Sequence, residues 1–108
     1  MGFINYTGGR FVLEGSQSAS IKMGPFIDTD GTAVTDLIIA QSDVRLSKNG
    51  GDYAQKSDAA SATHDENGWY DVALGSGDTA IQGNLLVAIN VAGALPVFRM
   101  FEVSPGGS

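Results

Sequence analysis

The stretch Lys48-Asn49-Gly50-Gly51-Asp52 constrains this chain most. Asn-Gly readily takes the positive φ values of a tight turn whose twist matches the strands it joins, so the flanking residues are expected to run antiparallel. On the amino-terminal side, Ile38, Ala40, Ser42, Val44 and Leu46 fall on one face of an extended strand, and Gln41, Asp43, Arg45 and Ser47 on the other. That is the pattern of a half-buried strand. On the other side, Tyr53-Ala54-Gln55-Lys56 is short and polar, as edge strands tend to be.

The same period of two recurs elsewhere. Trp69 to Leu74 places Tyr70, Val72 and Leu74 on one face, with Trp69, Asp71 and Ala73 on the other. Asn84 to Val91 is the most apolar segment, with Leu85, Val87, Ile89 and Val91 in register, and is expected to be a central strand. In Leu95 to Val103, Val97, Phe101 and Val103 share a face with Arg99, while Phe98 and Met100 share the opposite face with Glu102. Both faces are apolar, which suits coverage of one of them by another subunit. Ile21 to Phe26 reads as a strand in which Pro25 marks an edge or an end. Gly75 to Thr79 is a turn in which Asp78 is suited to cap one helical turn.

Turn signals fall every ~8 to 12 residues, with no 3.6-residue apolar stripe and no alternation of strand with helix. Fifteen glycines in 108 residues fit the same picture of short strands and many turns. The fold class is therefore all-β: an antiparallel β-sandwich of about seven strands, with a small β-barrel as the alternative, because periodicity gives strands but not their closure. The organisation expected is an N-terminal hairpin or arm over residues 1–20, a sandwich domain over 21–104 and a flexible Pro-Gly-Gly-Ser tail at 105–108.

Composition narrows the function. Twelve carboxylates against six scattered bases give a net charge of −6, which argues against binding nucleic acid, where clustered positive charge is needed. The absence of cysteine excludes disulfides, thiolate metal sites and cysteine nucleophiles. No segment approaches the ~20 apolar residues that span a bilayer, and the amino terminus lacks the basic start of a signal peptide, so the chain reads as soluble, with no membrane partner.

Three places invite chemistry. Asp28, Asp30 and Gly31 offer clustered oxygens for calcium, yet the spacing is only a fragment of a binding loop, and Asp and Gly also make turns for backbone reasons. His64-Asp65-Glu66-Asn67 contains the only histidine and reads as a solvated loop leading into a turn at Asn67-Gly68. An enzyme would need His64 with Asp65 and a serine, with no glycine motif to hold an oxyanion, so neither catalytic residues nor a cofactor are assigned. Trp69, the only tryptophan, is either a surface anchor for a partner or the cover over the end of a core.

Taken together, Asp43 to Gly51, Glu66 to Leu74, Gly83 to Ile89 and Gly93 to Val103 resemble a module of tailed-bacteriophage virion structural proteins. The likeness covers roughly Ile21 to Val103. It implies an immunoglobulin-like sandwich of the kind used in baseplate, tail-fibre and head-surface components. It further implies a non-enzymatic decoration or accessory protein, localised to the virion and docked on capsid or tail, whose partners are other virion proteins and copies of itself. The subunit contacts expected on that reading are Phe3, Tyr6, Phe11, Phe98 and Met100. The alternative is a carbohydrate-binding or host-adhesion module of the tail, in which Trp69 and Tyr53, with Asp52 or Asp71 nearby, present an aromatic platform to a glycan.

Overall fold

The computed structural model describes residues 5–7 and 10–104, with side chains from Leu13 onward. Period-two alternation directs its core. Tyr70, Val72 and Leu74 are buried on one strand, Leu85, Val87 and Ile89 on another, and Ile21 and Met23 on a third. Phe101, Val103, Val44 and Leu46 extend the inner face that Leu85, Val87 and Ile89 begin. Each such side chain, taken from water into the core, contributes about 1.5–3 kcal/mol, so this interior is the main stabilising term.

Nine strands are present among the described residues: β1 (Asn5–Thr7), β2 (Arg10–Glu14), β3 (Ala19–Met23), β4 (Val44–Lys48), β5 (Ala54–Gln55), β6 (Thr63–His64), β7 (Tyr70–Leu74), β8 (Gly83–Ile89) and β9 (Val97–Ser104). They form a six-stranded sheet in the order β1-β2-β9-β8-β4-β5 and a three-stranded sheet in the order β3-β7-β6. All neighbours are antiparallel except β2 and β9, which run parallel with Leu13 beside Val103. The orders β9-β8-β4-β5 and β3-β7-β6 are those of the G-F-C-C′ and B-E-D strands of an immunoglobulin-type sandwich. Both sheets keep open edges, so the barrel alternative is not adopted. The count exceeds the expected seven because β5 and β6 are only two residues long and β1 only three.

Two Asn-Gly turns shape the sandwich. Asn49 (φ 51°) and Gly50 (φ 80°) form the turn after β4, closed by the Gly51 amide donating to the Lys48 carbonyl at 2.9 Å. Asn67 (φ 51°) and Gly68 (φ 84°) repeat this between β6 and β7, with the Trp69 amide donating to the Glu66 carbonyl. His64 is therefore a strand residue opposite Tyr70, and the solvated loop expected from His64 onward is only the turn that follows it.

The long strand expected from Leu37 to Ser47 is shortened to β4. The Asp43 carboxylate accepts from the Ala40 amide at 2.9 Å, folding Gln41–Asp43 into a 3-10 turn. Upstream of that turn the alternation is inverted: Ile39 is fully buried, whereas Ile38 is 80% exposed. Lys56, expected on a polar edge, is fully buried, and its ammonium donates to the Asp58 and Ala60 carbonyls at 2.7 and 2.8 Å. The segment read as a hairpin or arm also contributes to the body, since β2 lies within the larger sheet and Leu13 within the core. At the turn after β7 the cap position is Gly75, and Asp78 reaches back from within the turn to accept the Gly75 amide.

Candidate functional site

Because β8 and β9 turn Leu85, Val87, Ile89, Phe101 and Val103 inward, their alternate residues stand on the outer face of the six-stranded sheet. Register aligns these in rows. Phe98 lies opposite Ala88, which lies opposite Arg45; in the next row Met100 lies opposite Leu86. Phe98 is 73% exposed and Met100 51% exposed. The hairpin after β4 bounds the face: the buried Ser47 hydroxyl donates to the Gly51 carbonyl at 2.7 Å. Beyond it comes Tyr53, half exposed. Between Tyr53 and Phe98 runs an open groove of about 350 Å³, with Arg45, Ala88, Asn90 and Pro96 among its walls.

Arg45 gives this groove its electrostatics. Elsewhere among the described side chains each cation is engaged: Lys22 with Asp65 and Asp71, Lys48 with the Gly77 carbonyl, and Lys56 with its loop carbonyls. Arg99 stacks over Trp69 with 5.4 Å from Cζ to the ring centroid and reaches the Gly24 carbonyl. Arg45 is exposed and has no hydrogen-bond or ion-pair partner among the described residues. The site is thus an apolar trough with one unpaired guanidinium, on a chain of net charge −6.

The remaining chemical candidates have structural partners. Asp28 Oδ1 accepts the amides of Asp30 and Thr32 at 2.9 and 3.0 Å, the geometry of a side-chain-closed turn. The His64 ring packs edge-on against Tyr70 with centroids 5.0 Å apart, and Asp65 pairs with Lys22. Asp78 is buried and bridges two segments, accepting the Ser57 and Gly75 amides at 2.8 Å each. Among the described residues no group of three or more His, Asp or Glu side chains is arranged to hold a metal.

The structure brings Phe98, an anticipated subunit contact, and Tyr53, an anticipated surface aromatic, together in the groove, and it sets the anticipated contact Met100 one row away. Trp69 lies on the other sheet's end beneath Arg99 and does not line the groove, so Tyr53 and Trp69 form no common platform. Phe3 lies outside the described residues. Tyr6 and Phe11 are opposite one another across β1 and β2, and their side chains lie outside the described ones. Sequence reasoning missed Arg45 as a site residue, although its place on the polar face of the strand before the Asn49-Gly50 turn was visible. It also missed Ile38, whose exposure follows from the 3-10 turn. Comparison with protein-family models, curated proteins and solved structures finds no match for this chain.

Proposed function

We propose that this protein is a non-enzymatic structural component of a tailed-bacteriophage virion, docked on capsid or tail through the outer face of its six-stranded sheet. The observation that carries the proposal is the pair Phe98 and Met100, which stand 73% and 51% exposed on one face of a strand whose other face sends Phe101 and Val103 into the core. Folding gains nothing from large apolar side chains there, whereas a subunit interface gains the transfer of their surface from water. The resemblance of Asp43–Gly51 and Glu66–Leu74 to the phage module supplies the setting. Mass spectrometry of purified particles tests it: the protein is expected among the virion components, and the variant Phe98→Ser/Met100→Ser is expected to fold but to be lost from particles. Particles that lack the wild-type protein would remove the proposal.

A second reading, glycan binding by a tail adhesion module, is favoured by one feature. Tyr53 and Phe98 line the groove beside the polar groups of Arg45 and Asn90, the pairing of aromatic surface with hydrogen-bonding groups that sugars use. A glycan array on which Tyr53→Ala abolishes a wild-type signal would establish this reading over the first.

A further inference from the structure

We infer that the Arg45 groove is the receptor for a second copy of this chain, which inserts Ile38 between Tyr53 and Phe98 and sets its Asp36 carboxylate on the Arg45 guanidinium. The inference deepens the assembly reading and rests on its premise that the outer face of the larger sheet is a docking surface.

The groove specifies its occupant by chemistry. Apolar walls with one unpaired guanidinium fit a projecting aliphatic side chain with a carboxylate close by, since a guanidinium presents a planar fork that a carboxylate matches with two parallel hydrogen bonds. The chain itself carries that combination on the loop before β4. Ile38 is 80% exposed, the most exposed large apolar side chain among the described residues, and Asp36, also exposed, stands two positions before it. Asp36 has no hydrogen-bond or ion-pair partner among the described residues. Leu37, between them, turns inward and packs against the core.

The loop is also held ready. Tyr70 is fully buried; its hydroxyl donates to the Val34 carbonyl at 2.7 Å and accepts the Leu37 amide at 3.1 Å. On the far side Ile39 is buried, and its carbonyl accepts the Ala62 amide at 2.9 Å. Asp36 and Ile38 therefore project from a segment pinned at both ends, which lowers the ordering cost of binding.

Knob and groove are joined through the β8–β9 connection. A β-carbon at Gly93 would touch the Leu37 side chain at 3.5 Å, and Gly93 belongs to the same β8–β9 connection that brings Asn90 and Pro96 to the groove. That proximity permits a two-fold pair in which each copy gives its loop and receives the other's, the closed arrangement in which residue i meets j and j meets i.

Sedimentation velocity on the purified full chain tests the inference, with circular dichroism to verify that each surface variant is folded. The wild type is expected to form dimers with a dissociation constant on the order of 1–100 μM, the range of small transient interfaces. Arg45→Asp and Asp36→Arg are each expected to weaken dimerisation about 10-fold or more, Ile38→Ser similarly, and the double variant Arg45→Asp/Asp36→Arg to recover most of the loss. A wild type that stays monomeric at roughly 1 mM, weaker than the range expected for a specific contact, would overturn the inference. So would dimers indifferent to both charge reversals, or loss at Arg45 with no recovery in the double variant, which would set a group other than Asp36 against Arg45 in the dimer. A chain that is monomeric yet present in particles would sink the self-docking alone. Dimers with the stated mutational pattern in a protein missing from particles would instead sink only the virion reading.

Discussion

Tyr70 ties the core to the loop before β4. Its ring meets Phe26 edge-on at 5.2 Å and His64 at 5.0 Å, while its hydroxyl closes two bonds to the 34–37 loop. Tyr70→Phe keeps the packing and leaves the Val34 carbonyl and the Leu37 amide without that partner. A cost of about 1–3 kcal/mol is expected in denaturant unfolding. The exposed ion pairs offer a contrast. Lys22 Nζ lies between Asp65 and Asp71, and the hydrogen bonds it donates to those two carboxylates, Asp65 first, raise its pKa above the ordinary lysine value. A lysine whose folded pKa is raised contributes stability that is fully present below its unfolded pKa and disappears as pH rises through the folded one. The Lys22 contribution is therefore constant through neutral pH and falls away only in the alkaline range. With its side chain 48% exposed, solvent screening keeps that contribution small. Lys22→Ala is expected to shift the unfolding midpoint at pH 7 far less than Tyr70→Phe, and the difference between wild type and Lys22→Ala is expected to vanish above the folded pKa of Lys22.

At the scale of elements, the β4–β5 turn does more than reverse the chain. Asn49 Oδ1 accepts the Asn84 amide at 2.8 Å, and its Nδ2 donates to the Gln82 carbonyl at 3.0 Å, so the turn clasps the start of β8. Gly83 makes the clasp possible: a β-carbon there would collide with Asn49 Oδ1, and its φ of 117° is one that side chains rarely take. Asn49→Ala removes both bonds and puts at φ 51° a residue that tolerates the left-handed region less well than asparagine, for an expected loss of about 1.5–3 kcal/mol. Asn49→Gly relieves the backbone term and is expected to cost about 1 kcal/mol less than Asn49→Ala, a gap that thermal or denaturant unfolding of the pair would read. The turn itself was legible, because Asn-Gly has a strong local meaning. So were β7, β8 and the two-faced β9, where local alternation and tertiary burial agree. The region 37–43 was not, since its apparent alternation is broken by one side-chain bond from Asp43 to the Ala40 amide. Nor could local pattern reveal the parallel pairing of β2 with β9, which joins opposite ends of the chain. The groove was legible only in part: Phe98 declares itself on an apolar face of β9, but its meeting with Tyr53 and Arg45 depends on register across three strands.

For the molecule as a whole, two electrostatic effects oppose each other in any pairing of copies. Each copy carries −6, so approach is repulsive at long range, while the Arg45 groove and Asp36 attract at contact. Salt separates them. The Debye length falls from about 30 Å at 0.01 M to about 8 Å at 0.15 M, so the repulsion, spread over a molecule with a 13.4 Å radius of gyration, is largely removed across that range. The contact pair, partly shielded from water between Tyr53 and Phe98, is screened much less, and burial of Ile38 is not an ionic term. Dimerisation is therefore expected to be several-fold tighter at 0.15 M than at 0.01 M salt. In Arg45→Asp the groove itself becomes acidic, so screening acts on repulsion at both ranges, and the relative gain with salt is expected to be steeper than in the wild type. Sedimentation of both proteins at the two salt concentrations gives the slopes. A wild-type dimer that loosens steadily as salt rises would mean that attraction across the interface outweighs the repulsion between two acidic copies, and that more than one ion pair per groove holds them together.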